Sequence, residues 1–171
     1  ICETFTRKER KALIVMATGA GKTRTVIGLV DVLMRHNCAK RVLFLADRIA
    51  LVEQACGAFR HHLSNTTVVD LTKEKEDLNS RIMVSTYPSM MNFIDETKGA
   101  QKRFGAGYFD AIIIDEAHRS VYQKYRAIFE YFDSLLVGLS ATPRDESAGS
   151  SSHLCAICSG VKTSSYNLKP A

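Results

Sequence analysis

Five short apolar runs recur along the chain: Leu13-Ile14-Val15-Met16, Val42-Leu43-Phe44-Leu45, Ile82-Met83-Val84, Ala111-Ile112-Ile113-Ile114 and Leu135-Leu136-Val137. They are continuous rather than alternating, the pattern of strands covered on both faces, as in a parallel sheet. Helical spacing fills the gaps. Val26, Ile27, Val30, Leu33 and Met34 come after the first run at steps of three and four, and Val52, Ala55, Cys56 and Phe59 after the second. Val121, Tyr125, Ile128 and Phe132 predict one helical face after the fourth run. Tyr87 to Ile94 predicts a short helix, and Thr66 to Leu71 a further strand. Strands alternating with helices imply βαβ units: an α/β fold with a mostly parallel sheet and helices on both faces.

The polar cluster at the end of each run carries the chemistry. These clusters are Ala17-Thr18-Gly19, Ala46-Asp47-Arg48, Ser85-Thr86, Asp115-Glu116 and Ser140-Ala141-Thr142. Parallel strands bring all five to one edge, and open α/β sheets bind ligands outside the carboxyl ends of their strands. One site built from distant segments is the expectation.

Gly19-Ala20-Gly21-Lys22-Thr23 joins a predicted strand to a predicted helix and reads as the core of a P-loop. Its glycines let the backbone curl so that N–H groups face a phosphate, and the helix N-terminus favours negative charge. In that reading Lys22 reaches the terminal phosphates of ATP and the Thr23 hydroxyl takes a place on Mg²⁺. Thr18, Gly19, Ala20, Gly21 and Arg24 are assigned to the nucleotide with them. The strict pattern wants glycine where Met16 stands. Asp115-Glu116-Ala117-His118 comes after the most apolar run. A carboxylate there is costly unless it meets a cation or donors. Asp115 suits Mg²⁺ and Glu116 suits a general base for water. The alternative is that Asp115 caps a helix and Glu116 is solvated. The Ser140 and Thr142 hydroxyls can bond to the acidic cluster, or they mark a strand end that Pro143 stops.

Composition narrows the class. The chain has 171 residues, 46% hydrophobic and 24% charged, an ordinary globular balance and enough for one domain with a real core. No run approaches the ~18 apolar residues of a membrane span, so no membrane partner is expected. The start lacks a signal peptide, and a chain opening at Ile1 fits a segment of a longer protein. Residues 1–60 hold 11 Lys/Arg against 5 Asp/Glu, while 61–110 hold 6 against 7 and 111–171 hold 6 against 6. The formal net charge of +5 therefore arises in the first third, pointing to an anionic partner there or to a solvated basic surface. Five cysteines, an odd number, fit a reducing cytoplasmic setting. Cys38 and Cys56 read as small core residues, and Cys155-Ala156-Ile157-Cys158 lacks the second ligand pair that zinc would want. Glu96-Thr97-Lys98 matches a nuclease ExK, but at a predicted helix end and loop it reads as chance.

Together Gly19–Thr23, Asp115–His118 and Ser140–Thr142 resemble motifs I, II and III of superfamily-two helicases, in which Met16-Ala17-Thr18 is the usual lead-in. Arg41–Arg48, Val84–Met91 and Asp115–Ser120 are longer phrases similar to the motor (R) subunit of type I restriction enzymes, whose domain type extends to type III subunits. The resemblance spans nearly the whole chain. It implies a RecA-like P-loop NTPase domain over residues 1–143, with 144–171 a flexible loop and the start of the connection to a second RecA-like domain that supplies an arginine finger. It implies ATP and Mg²⁺ as ligands and Lys22, Asp115 and Glu116 as catalytic residues. His118, Ser140 and Thr142 would link nucleotide state to DNA movement. Asp47, Arg48, Ser85 and Thr86 match segments that touch nucleic-acid backbone in relatives. Locally, Arg48 can instead pair with Asp47, and Thr86 can cap the next helix.

The partners so implied are duplex DNA, the methylation and specificity subunits of a restriction-modification complex, and the second motor domain. The expected function is ATP-driven DNA translocation. An RNA helicase of the DEAD/DEAH kind and a nucleotide-binding module without turnover are the alternatives. The first shares the DEAH letters but not the longer phrases.

Overall fold

A computed structural model describes residues 5, 9–17, 19–75, 77–98, 101–117 and 119–141. Six strands form one sheet: β1 (Lys11–Val15), β2 (Val42–Ala46), β3 (Val68–Asp70), β4 (Ile82–Thr86), β7 (Ala111–Ile114) and β8 (Leu135–Ser140). Their order is β1-β8-β7-β2-β4-β3, and every neighbouring pair is parallel. Each apolar run lies in a strand, except that β1 ends one residue before Met16, and the expected extra strand is β3. β2, β4 and β8 run further than their apolar runs at their carboxyl ends. Ser85, Thr86 and Ser140 are the last rungs of β4 and β8, not loop residues beyond them.

Helices cover both faces. α1 (Lys22–Arg35) buries Val26, Ile27, Val30, Leu33 and Met34, and α2 (Ile49–His62) buries Val52, Ala55, Cys56 and Phe59. Both pack on the face to which β2 turns Val42 and Phe44 and β7 turns Ala111 and Ile113. α3 (Tyr87–Asp95) and the helices after β7 cover the other face, against Leu43, Leu45, Ile112 and Ile114. The alternation shows why these strands read as unbroken apolar runs: successive side chains enter two different cores.

One helix departs from expectation. Val121, Tyr125, Ile128 and Phe132 do line the second core, but across two six-residue helices, α4 (Arg119–Lys124) and α5 (Arg126–Tyr131). The chain breaks at Tyr125, whose φ of −112° and ψ of 22° are not helical. The Tyr125 N–H still donates to the Val121 carbonyl at 3.0 Å, so the apolar spacing survives the break. Between α3 and β7, β5 (Thr97–Lys98) and β6 (Gln101–Lys102) make a small antiparallel hairpin, so the ExK stretch is a helix end followed by strand, not loop. Arg103 closes it, donating through its N–H to the Glu96 carbonyl at 3.2 Å and through Nη1 to Glu96 Oε2 at 3.0 Å. That pairing occupies Glu96 structurally. Asp77 and Asp70, upstream of the ExK, accept from Ser80 and Thr72 in their own turns.

Candidate active site

The P-loop leaves β1 at one edge of the sheet. Gly19 and Gly21 have φ of +79° and +84°, and a Cβ at either would meet nothing within 4 Å. These glycines are needed for their left-handed backbone, not for space. The Ala20 N–H donates to the Ala17 carbonyl at 3.1 Å, tightening the turn. Gly21 then starts α1 with no side-chain cap. The unpaired N–H groups of the first helical turn are the kind of donors an anion satisfies. Lys22 and Thr23 are half-buried in that turn, and Gly19, Ala20 and Arg24 are exposed. Thr18 lies outside the described residues.

Two strands away, the end of β7 is stitched to both neighbours. The Asp115 N–H donates to the Leu45 carbonyl of β2 at 2.9 Å, and the Ala117 N–H to the Leu139 carbonyl of β8 at 2.7 Å. Glu116, between them, has φ of +51°, a left-handed conformation that costs a side-chain-bearing residue roughly 1–2 kcal/mol. Its N–H donates to Asp115 Oδ1 at 3.0 Å. The turn carries the Glu116 carboxylate back to the P-loop, where Lys22 Nζ donates to Oε1 at 3.0 Å. β8 lies between β1 and β7. Its last residue, Ser140, is buried there, and its carbonyl accepts from the Met16 N–H at 3.0 Å. The fold therefore brings Lys22, Glu116, Asp115 and Ser140 to one edge, while His118 and Thr142 lie outside the described residues.

Asp47-Arg48 and Ser85-Thr86 end neighbouring strands β2 and β4 on that edge. Arg48 is exposed, with Nε 3.9 Å from Asp47 Oδ2. Thr86 caps α3: its hydroxyl accepts from the Ser89 N–H at 3.3 Å and donates to Ser89 Oγ at 2.9 Å. Ser85 is buried and donates to the Thr86 carbonyl at 3.3 Å. Both local alternatives raised by the sequence are present. Among these four residues, Asp47 and Arg48 are exposed and Ser85 and Thr86 are not.

Tyr87 stands out in the sequence only as the start of a helix. It is fully buried, stacks on Tyr125 with centroids 5.0 Å apart, and donates its hydroxyl to the Asp115 carbonyl at 2.6 Å. Burial, reinforced by the Asp115 and Asp47 charges, raises its pKa and keeps it a donor. An aromatic residue directly after a strand-end threonine is the one local signal of its place.

Among the described residues no three His, Cys, Asp or Glu side chains gather as a metal cage. Mg²⁺ bound beside a nucleotide takes only one or two protein ligands, the rest being water and phosphate oxygens. The Thr23 hydroxyl and the Asp115 carboxylate, both hard oxygen donors, fit that demand. Cys56 is buried and Cys38 is exposed, so only the first is the core residue that the sequence suggested. Cys38 is exposed because it sits in the turn that ends α1, its N–H on the Leu33 carbonyl. Cys155 and Cys158 lie outside the described residues. The basic first third also divides. Lys22, Arg24 and Arg48 stand at the P-loop edge, whereas Lys40 and Arg41 precede β2 at the opposite edge. With Arg81 and Tyr108 they line a cleft of about 520 Å³.

Similarity to known proteins runs along the same lines. A family model described as "Type III restriction enzyme, res subunit" matches residues 1–145. The chain belongs to this family. Among curated relatives, this res-subunit family member is 30% identical over 167 residues to the "Type I restriction enzyme EcoKI endonuclease subunit" of Escherichia coli (strain K12), covering 82% of this chain and 14% of that protein. It is 33% identical over 147 residues to the EcoAI endonuclease subunit of Escherichia coli, covering 84% of this chain and 18% of that protein. The chain thus spans less than a fifth of either relative.

Two solved structures share its fold. One is a Sulfolobus solfataricus SWI2/SNF2 ATPase core in complex with dsDNA (TM-score 0.64, 16% identity, 81% of this chain and 29% of that one). The other is a nuclease-deletion mutant of the Type ISP restriction-modification enzyme LlaGI with a DNA substrate mimic (TM-score 0.59, 22% identity, 82% and 16%). The res-subunit domain therefore has a RecA-like α/β fold, and it resembles the type I restriction endonuclease subunit as its motifs imply. No helix among the described residues is long and apolar enough to cross a membrane.

Proposed function

We propose that this domain binds ATP·Mg²⁺ and, within its intact protein, hydrolyses it to move along duplex DNA in a cytoplasmic restriction system. The observation that carries the reading is the 3.0 Å contact between Lys22 Nζ and Glu116 Oε1, which joins the P-loop to the DEAH turn. An ammonium ion and a carboxylate so placed suit a phosphate and its attacking water.

The roles come from the chemistry of each group. The backbone of Gly19 to Gly21 and the first turn of α1 hold phosphate oxygens. Lys22 neutralises charge on the terminal phosphates. Thr23 and Asp115 would hold Mg²⁺, which when bound draws charge from the phosphate oxygens. Glu116 accepts the proton of the attacking water. The Lys22–Glu116 pair is partly open to solvent and is worth on the order of 1 kcal/mol, so a polyphosphate readily displaces the carboxylate from Lys22. Ser140, His118 and Thr142 pass the nucleotide state on; the position of Ser140 on the strand between the two halves of the site supports this role for it, and the resemblance supports it for His118 and Thr142. The exposed Arg48 is a donor for a DNA phosphate, with Asp47, Ser85 and Thr86 shaping that rim. An arginine finger would come from a second RecA-like domain, and recognition and methylation from partner subunits.

The test is phosphate release by the intact protein with and without duplex DNA. Lys22→Ala or Glu116→Gln should abolish the DNA-stimulated rate. Retained activity in either variant, or stimulation by RNA and not by duplex DNA, would overturn the reading.

A further inference from the structure

We propose that Tyr87 is a positioning residue for water activation: its hydroxyl clamps the Asp115–Glu116 peptide and ties it to the β4–α3 junction. The inference rests on the proposed roles of Asp115 and Glu116. The peptide between those residues is held at both ends. Its carbonyl accepts from the Tyr87 hydroxyl at 2.6 Å, and its N–H donates to Asp115 Oδ1 at 3.0 Å. Its orientation sets the backbone of Glu116, which is left-handed at φ +51°. A residue in that conformation relaxes unless its surroundings hold it. Of the two bonds, only the tyrosine bond reaches outside the turn.

Tyr87 is itself fixed. It is fully buried, and its ring lies 14° from the plane of Tyr125. Tyr125 is the residue at which the helix after β7 breaks, and its ring stacks on Tyr87 with centroids 5.0 Å apart. On the other side, Tyr87 comes directly after Thr86, the cap of α3 and the rim of the candidate DNA-contact segment. A shift of the β4–α3 junction is therefore transmitted through one rigid side chain to the carbonyl beside the general base. Misplacing a catalytic group by about 1 Å can cost as much as 100-fold in rate.

Tyr87→Phe removes one oxygen and keeps the stacked ring. In the intact protein, the kcat of ATP hydrolysis at saturating duplex DNA should fall about tenfold or more, with the KM for ATP within twofold of the parent. A purely structural role would lower the melting temperature and leave kcat unchanged, and that outcome would overturn the proposal. Tyr125→Phe, which keeps the stacked ring, should retain the parent kcat; an equal loss there would also overturn it. Lys22→Ala, run alongside, separates the two ideas. If it abolishes hydrolysis while Tyr87→Phe does not alter kcat, only the present inference fails. If Lys22→Ala stays active, the reading of the site itself fails.

Discussion

Lys22 and Glu116, 94 residues apart in sequence, meet at 3.0 Å with side chains only 13% and 35% exposed. Each group answers the other's charge. Glu116→Gln keeps the shape and removes the charge that holds Lys22. The variant should bind a fluorescent ATP analogue at least as tightly as the parent protein, while phosphate release falls by 100-fold or more. Weaker nucleotide binding would show that Glu116 supports the loop rather than competing for its lysine.

Glycine-to-alanine changes should have opposite signs at two positions. Gly21 has φ +84° with open space where a methyl would stand, so Gly21→Ala costs backbone strain of roughly 1–2 kcal/mol. Gly57 lies inside α2 with no crowding either, and Gly57→Ala should stabilise by about 0.5–1 kcal/mol. Denaturant titrations of the two variants measure both. Equal effects would mean that the left-handed turn is not populated in solution.

The core on the α1–α2 face should depend on Phe59. It is fully buried and meets Phe44 edge-on at 5.7 Å. Phe59→Ala should cost about 3–5 kcal/mol, read from chemical denaturation. A loss below about 1 kcal/mol would mean that α2 packs less closely than described.

Thiol chemistry separates Cys56 from Cys38. Burial, with the Asp70 charge adding to it, pushes the Cys56 thiol up to about 12. It stays protonated in the folded protein at pH 8–10, whereas an unfolded chain ionises near its ordinary value of 9.0. Iodoacetamide should therefore label exposed Cys38 and spare Cys56 at pH 8.5, as peptide mass spectrometry can show. Stability should also decline as pH rises above 9, because the unfolded state alone loses this proton. Cys56→Ala should flatten that decline, and an unchanged slope would assign it to other groups.

Much of the layering was legible because burial on both faces writes itself into sequence. Val42 to Ala46 is buried at all five positions, so no alternation appears, and α1 buries the same five residues that its spacing marks. The illegible parts are those that local pattern does not encode. Tyr125 keeps helical spacing through a break, so Val121, Tyr125, Ile128 and Phe132 look continuous. The order of the sheet has no local signal, and only the fold reveals that β8 lies between β1 and β7. The motif residues Lys22, Asp115 and Glu116 stood out by type and spacing. Tyr87 did not, since its part depends on a hydrogen bond to a main-chain atom 28 residues away.

The division of basic residues between the two edges gives the domain an uneven electrostatic face. At the P-loop edge, Lys22 and Arg48 each have a carboxylate beside them. In the opposite cleft, Lys40, Arg41 and Arg81 stand around one aspartate, Asp110, whose Oδ2 is taken by the Lys40 and Arg41 N–H groups at 2.7 and 2.8 Å. Three cations thus face one carboxylate in the cleft away from the proposed phosphate chemistry. Any attraction of a polyanion to that solvent-open cleft should weaken as ionic strength rises.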